Sequence, residues 1–150
     1  MDVVTFQVAP VSQDDLAAVT SFLQPFMDQQ FLLQRTSLEV QLLLRHGFKA
    51  ISTHVDQGPD PSTSAAGQLI GFCALEIYSK KLAEIQCLAV DSTFRRQGVG
   101  KALVQACVQR ARDEKVLELM AISNSDEMFR ACGFDYSLPN QKRAFFFQTD

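Results

Sequence analysis

Two glycines and three basic residues lie close together near the middle of the chain. Gly98 and Gly100 follow Arg95 and Arg96, and Lys101 comes directly after them. Glycine in the opening turn of a helix costs about 1 kcal/mol relative to alanine, so two of them require a reason such as close approach of a ligand to the backbone. The unpaired N–H groups and partial positive charge at a helix N-terminus attract phosphate. The cluster therefore predicts a site for a phosphorylated ligand.

The residues on either side of this cluster predict a strand and a helix. Side chains alternate in character from residue 84 to residue 89, in a run too short for a helix, and the alternation places Glu84, Gln86 and Leu88 on one face of a strand. Asp91 to Thr93 are turn residues. From residue 99 to residue 111 the apolar residues recur at the spacing of one helix face. The glycines therefore lie at a strand-to-helix junction.

The spacing excludes two common phosphate loops. A Walker loop requires a hydroxyl where this chain has Ala102, and a dinucleotide fingerprint requires a third glycine where it has Leu103. The remaining pattern, Arg95-x-x-Gly98-x-Gly100 after a strand ending at residues 88–91, resembles the acyl-CoA signature of the GNAT superfamily of N-acetyltransferases. The alternative is a glycine-rich turn beside surface arginines, for which one glycine would suffice.

The resemblance extends over nearly the whole chain. It implies the GNAT fold, an α/β fold with a mixed central sheet flanked by about four helices, in a single domain spanning residues 1–150. Within the superfamily the sequence resembles the acetyltransferase domain of N-acetylglutamate synthase and its small standalone relatives. The segments that carry this similarity are residues 32–36, 83–90, 128–134 and 138–139.

The resemblance also implies that acetyl-CoA is the cofactor. The residues expected to bind it form the end of the central strand, the turn and the start of the helix. They are Leu88, Ala89, Val90, Arg95, Arg96, Gln97, Gly98, Val99, Gly100, Lys101 and Ala102.

The superfamily's reaction is direct attack of an amine on the acetyl thioester, and it suggests catalytic roles. The amine must lose a proton, and Glu84 is the candidate general base; a solvent-exposed glutamate at the strand edge is the alternative. A backbone N–H at Leu88 or a near neighbour is expected to stabilise the oxyanion. Many members use a tyrosine on the last short helix as general acid, but that position is Phe129. Ser123 is the nearest hydroxyl in the synthase-like pattern, and a role as a helix cap alone is equally open.

The resemblance places substrate-binding residues in three parts of the chain. Arg35 lies where synthase-like domains have an arginine for an amino acid's carboxylate, and a planar guanidinium suits that anion. Gln86 and Arg143 are further candidates, although Arg143 and Lys142 are also explained by ordinary surface charge. The expected substrate is a small-molecule amine, with an amino acid such as glutamate as a candidate. Because Phe129 cannot donate a proton, a non-catalytic acyl-CoA-binding or sensing module is the second hypothesis.

Composition excludes several other classes of protein. The 150 residues carry a net charge of −3, which gives no general attraction to nucleic acid or an anionic membrane. The four cysteines are widely spaced in apolar contexts, which favours buried free thiols over disulfides or metal ligands and indicates a cytoplasmic protein. Residues 1–5 resemble no signal segment, and no apolar run is long enough to span a membrane. The sequence leaves the oligomeric state open, a homodimer included.

The remaining segments predict the order of elements. The first strand covers residues 3–9, a helix starting at Ser12 is interrupted by Pro25, and a capping box formed by Thr36 and Glu39 starts a second helix. Strands at 48–55 and 68–78 are joined by a mobile hairpin loop rich in Pro, Gly and Ser. A strand at 116–122 precedes a short helix at 127–132 that Gly133 ends. Residues 134–136 and 144–148 are expected to be the closing strands.

Overall fold

A mixed five-stranded sheet forms the centre of the computed structural model, which describes residues 5–53, 67–136 and 145–149. The strands lie in sequence order across the sheet: β1 (Phe6–Pro10), β2 (Gly47–Ser52), β3 (Leu69–Ile77), β4 (Leu82–Val90) and β5 (Glu118–Ala121). Neighbouring strands from β1 to β4 are antiparallel, whereas β5 is parallel to β4. A parallel neighbour requires a crossover connection, which the helix between β4 and β5 provides. The predicted mixed sheet is confirmed.

Four helices pack on the sheet. They are α1 (Leu16–Asp28), α2 (Ser37–Leu43), α3 (Val99–Asp113) and α4 (Asp126–Ala131). Short 3-10 turns cover Gln13–Asp15, Leu44–His46 and Ser92–Phe94. The predicted capping box at the start of α2 is present: the Glu39 N–H donates to Thr36 Oγ1 at 3.2 Å, and the Thr36 N–H donates to the Glu39 carboxylate at 2.6 Å. These two bonds satisfy N–H groups that the helix leaves free.

Helix α1 continues through Pro25, so the predicted interruption there is wrong. Proline has no N–H to donate to the carbonyl of Ser21, but the helical pattern resumes at once, because the Gln29 N–H donates to the Pro25 carbonyl at 3.0 Å. Leu23 and Met27, on either side of the proline, are both buried. Packing of this apolar face holds the last turn of the helix despite the missing bond.

Two apolar cores cover the two faces of the sheet. The α3-side core includes Ile70, Ile85, Phe94, Leu103 and Phe129. The α1/α2-side core includes Val19, Leu23, Val40, Phe72 and Ala89. Strands β3 and β4 contribute residues to both cores. They hold the polar residues described below in a rigid frame.

A β-bulge at Cys87 and Leu88 changes the orientation of β4 halfway along its length. Ala74 pairs with Gln86 but Phe72 pairs with Ala89, so Cys87 and Leu88 together lie opposite one residue of β3. Cys87 has a φ of 54°, which is rare for a residue other than glycine. The extra residue reverses the alternation of side chains. Leu88 therefore packs with the α3-side core, away from Glu84 and Gln86, and the prediction that all three share a face is wrong.

The predicted closing strands are wrong for the residues that the structure describes. Gly133 has a φ of 91° and ends α4, and the Phe134 N–H then donates back to the Phe129 carbonyl at 3.0 Å, which commits a backbone group that a strand would need. Residues 145–149 are not in a strand, and the side chains of Phe145, Phe146 and Phe147 are exposed. Residues 56–66 of the loop predicted at 56–67, together with residue 144, lie outside the described residues.

Candidate active site

The glycine turn presents the start of α3 to solvent. The first bond of the helix runs from the Ala102 N–H to the Gly98 carbonyl at 3.0 Å, so the N–H groups of Val99, Gly100 and Lys101 have no acceptor within the helix. Residues 95–98 are exposed, and Gln97 is held by a 3.5 Å bond from its side chain to the Thr93 carbonyl. The predicted cofactor residues 95–102 thus form a short segment with free backbone donors and three cationic side chains.

The two glycines of the turn have different roles. Gly98 has a φ of 86°, a conformation that side chains with a Cβ rarely adopt, so the chain reversal itself requires glycine there. Gly100 has no such constraint, because an added Cβ would meet only Val90 Cγ2, at an ordinary contact distance of 3.6 Å. The fold therefore does not require glycine at position 100. Without a Cβ at this position, the adjacent backbone N–H groups are left uncovered, as in helix N-termini that bind anions.

Neighbouring arginines of the turn border two different cavities. Arg96 borders a cavity of about 790 Å³ together with Asn124, Ser125 and Met128 of the α4 region. Arg95 borders a smaller cavity of about 360 Å³ between the turn and the last turns of α1, which contribute Phe22 and Phe26 among others. The larger cavity is where the turn faces α4. The sequence analysis assigned neither Asn124 nor Met128 to cofactor binding.

Strands β4 and β5 separate partway along β4. Their pairing runs from Leu82 and Glu118 to Ile85 and Ala121 and stops there. Within the described residues, the backbone of β4 from Gln86 to Val90 has no strand partner on that side. The predicted cofactor residues Leu88, Ala89 and Val90 lie in this opening, and the bulge at Cys87 leaves a backbone amide outside the regular ladder. The opening therefore offers N–H and C=O groups to an extended ligand.

Glu84 is buried, with 9% of its surface exposed, and is held by a tyrosine that the sequence analysis missed. Tyr78 Oη donates to Glu84 Oε2 at 2.6 Å. This bond, burial and the charge of Glu84 together raise the pKa of Tyr78 to about 12. Among the described residues, no lysine or arginine forms an ion pair with Glu84. Within the described residues the carboxylate is therefore held by a hydrogen bond and not by an ion pair.

A chain of hydrogen bonds joins Glu84 to Arg35. Arg35 Nη2 donates to Gln86 Oε1 at 2.7 Å, and Gln86 Nε2 lies 3.4 Å from Tyr78 Oη and 3.1 Å from Glu76 Oε2. Arg35 Nε is buried and has no hydrogen-bond partner within the described residues. The structure thus brings together the candidates Glu84, Gln86 and Arg35. It adds Glu76 and Tyr78, which the sequence could have suggested, because the tight turn at 79–81 sets β3 opposite β4 in register.

The other candidates from the sequence are placed differently. Ser123 is exposed, and its Oγ accepts the Ser125 N–H at 3.0 Å, a capping-type contact that leaves the hydroxyl proton free. Phe129 is buried and packs edge-on against Phe134, with ring centroids 5.2 Å apart, so this position is part of the core. Arg143 and Lys142 lie outside the described residues.

Comparison with known proteins defines the class to which this fold and site belong. Residues 36–134 match the model of the acetyltransferase (GNAT) family, and the chain belongs to that family. This confirms the predicted membership of the GNAT class of N-acetyltransferases.

Individual relatives are similar over different shares of their length. An uncharacterized N-acetyltransferase of Chlorobaculum tepidum is 38% identical over 68 residues, covering 45% of this chain and 44% of that protein. The amino-acid acetyltransferase of Pasteurella multocida is 26% identical over 145 residues, covering 93% of this chain and 30% of that protein. The chain thus spans less than half the length of these relatives. The crystal structure of N-acetylglutamate synthase from Neisseria gonorrhoeae with coenzyme A and N-acetyl-glutamate superposes with a TM-score of 0.67 at 23% identity, over 85% of this chain and 27% of that one.

Proposed function

We propose that this chain transfers the acetyl group of acetyl-CoA to the primary amine of a small molecule, and that the acceptor is an amino acid. The observation that carries the proposal is the hydrogen-bonded chain from Arg35 to Glu84, which sets a cation and a carboxylate at the two ends of one polar cluster. An α-amino acid has the complementary pair of charges. The guanidinium of Arg35 suits its carboxylate, and the oxygen of Glu84 that Tyr78 does not engage suits its amine.

Each step of the proposed reaction has a candidate group. Acetyl-CoA supplies the activated thioester. Arg35 and Gln86 bind and orient the acceptor, and Glu84 accepts the proton of the amine as it attacks directly, without an acetylated enzyme. The backbone N–H at the bulge, at Leu88 or its neighbour, stabilises the oxyanion. Ser123 donates a proton to the departing thiolate, because its hydroxyl hydrogen is not used by the Ser125 contact.

Glutamate is the first acceptor to test. The relative from Pasteurella multocida is named an amino-acid acetyltransferase, and the similar structure from Neisseria gonorrhoeae contains N-acetyl-glutamate. Both support an amino acid as the substrate class of this chain. Arg143 remains a proposed second cation for an acidic side chain.

The location and organisation of the protein are part of the same proposal. All four cysteines are free thiols, three of them buried, which supports a cytoplasmic location. We also propose that residues 1–150 form one domain, with a homodimer as a candidate assembly. Within the described residues, none of the helices has both the length and the apolar character of a membrane span.

A thiol-release assay tests the proposed reaction. The pure protein is supplied with acetyl-CoA and a panel of amino acids and polyamines, and turnover is expected with at least one amino acid. Glu84→Gln should then lower kcat by about a hundredfold or more while coenzyme affinity measured by calorimetry stays unchanged. Glu118→Gln, which alters an exposed glutamate of β5, is the matched control and should retain full activity.

Two outcomes would contradict the proposal. Full activity of the Glu84→Gln variant would remove the base from the scheme. Binding of acetyl-CoA without turnover of any amine would favour the acyl-CoA-binding or sensing module instead, for which Phe129 at the usual position of the acid is the supporting observation.

A further inference from the structure

Tyr78 and Glu76 are the residues of the polar cluster to which the proposed reaction assigns no role, and Tyr78 is the one in contact with Glu84. Glu76 pairs with Glu84 across β3 and β4, and Tyr78 follows Glu76 by two residues, so its side chain lies on the same face. Its hydroxyl oxygen is 2.6 Å from Glu84 Oε2 and 3.4 Å from Glu76 Oε2. A single phenol thus stands between two carboxylates on neighbouring strands.

The chemistry of the donors fixes the direction of each hydrogen bond. Arg35 can only donate, so Gln86 must turn Oε1 toward it and its NH₂ group toward Glu76 and Tyr78. The phenol of Tyr78 has one proton, which it donates in the shorter hydrogen bond, to Glu84 Oε2 at 2.6 Å. The lone pair of the phenol then faces the Gln86 amide. Within this arrangement Glu84 Oε2 is occupied.

From this geometry we propose that Tyr78 is a positioning residue for acetyl transfer, which fixes Glu84 with Oε2 engaged and leaves Oε1 as the oxygen that accepts the amine proton. The inference rests on the proposed role of Glu84. A buried glutamate side chain without such a contact samples several rotamers, and only some of them place Oε1 toward the acceptor.

Two further observations support this role. Tyr78 stays protonated at any pH suitable for the assay, because Glu84 holds the pKa of the phenol at about 12. The ring of Tyr78 is 51% exposed, so it contributes little to either core. Removal of the hydroxyl alone should therefore leave the fold intact.

Tyr78→Phe tests the proposal in the full-length protein. We expect kcat to fall about tenfold, the effect of losing one hydrogen bond to a charged group, while the KM for acetyl-CoA stays within twofold of its original value. The matched control is Tyr136→Phe, because Tyr136 is the other tyrosine of the chain and also hydrogen-bonds a carboxylate, that of Asp126. This control should retain its kcat. An unchanged kcat in Tyr78→Phe would overturn the proposal.

A double-mutant cycle separates a positioning role from an independent one. In the Glu84→Gln background, Tyr78→Phe should cause no more than a twofold additional loss of kcat, because Tyr78 acts through Glu84. A full tenfold additional loss would overturn the inference while leaving Glu84 as the base. If Glu84→Gln alone retains full activity, Glu84 is not the base and this inference fails with that assignment, whereas the proposed acetyl transfer itself would stand.

Discussion

Replacement of Arg35 by alanine is the sharpest test of the acceptor class. One nitrogen of this guanidinium, Nη2, donates to Gln86 at 2.7 Å, and Nε is buried and has no hydrogen-bond partner within the described residues. Because Arg35 as a whole is only half-buried, we expect the remaining N–H groups of its guanidinium to bind the carboxylate of the acceptor. A hydrogen bond to a charged group contributes about 1.5–3 kcal/mol.

This magnitude converts directly into a change in the Michaelis constant. At about 1.4 kcal/mol for each factor of ten, Arg35→Ala should raise the KM for an amino acid by about 10- to 150-fold. Arg35→Lys keeps the positive charge but lacks the planar guanidinium, so its KM for the amino acid should lie between that of the unmodified protein and that of Arg35→Ala. Coenzyme affinity should not change in either variant.

The decisive measurement compares an amino acid with the corresponding amine that lacks the carboxylate. Only the amino acid should lose affinity in Arg35→Ala, and Arg45→Ala, which alters an exposed arginine beyond α2, should affect neither. An equal loss for both acceptors would show that the mutation disturbs the site as a whole. An unchanged KM for both would refute the assignment of Arg35 to the carboxylate.

Two further predictions concern stability. Gly98→Ala should lower the free energy of unfolding by about 1–2 kcal/mol, because Gly98 has a positive φ. Gly100→Ala should leave the free energy of unfolding unchanged or raise it by up to about 1 kcal/mol. Denaturant titration measures both changes, and changes of the same sign would contradict the distinction between the two glycines. The pKa of His46 is lowered from 6.5, mainly by burial and also by the cation of Arg110. The unfolded chain therefore takes up this proton first as the pH falls below about 6.5, and the free energy of unfolding should decrease there, to a smaller extent in His46→Gln. Equal pH dependence in both proteins would contradict the prediction.

Local sequence signals predicted the parts of the fold that local chemistry determines. The glycine turn, the capping box at Thr36 and the stop at Gly133 each depend on a few adjacent residues, and all three are present. The predicted interruption at Pro25 is wrong because burial of Leu23 and Met27 stabilises the helix by more than one missing hydrogen bond costs. That balance depends on the sheet beneath the helix, which the local sequence does not contain.

The candidate site was predicted less completely than the fold. The resemblance located Glu84, Gln86 and Arg35, but strict alternation along β4 put Leu88 on the wrong face. The cause is the bulge at Cys87, which follows from the pairing of β4 with β3 and leaves no mark on the residue types. Tyr78 was missed because its contact with Glu84 depends on the register of β3 against β4, for which the short turn at 79–81 is the only sequence signal.

The β-bulge at Cys87 also separates β4 into two parts with different contacts. Upstream of it, side chains at 84 and 86 meet those of β3 and Arg35, whereas downstream of it the strand offers mainly its main chain beside the glycine turn. Substitutions upstream of the bulge can therefore change the preference for the acceptor without altering the residues proposed to bind the acetyl donor. A mutant library restricted to residues 35, 76, 78 and 86 should therefore yield variants with altered acceptor preference.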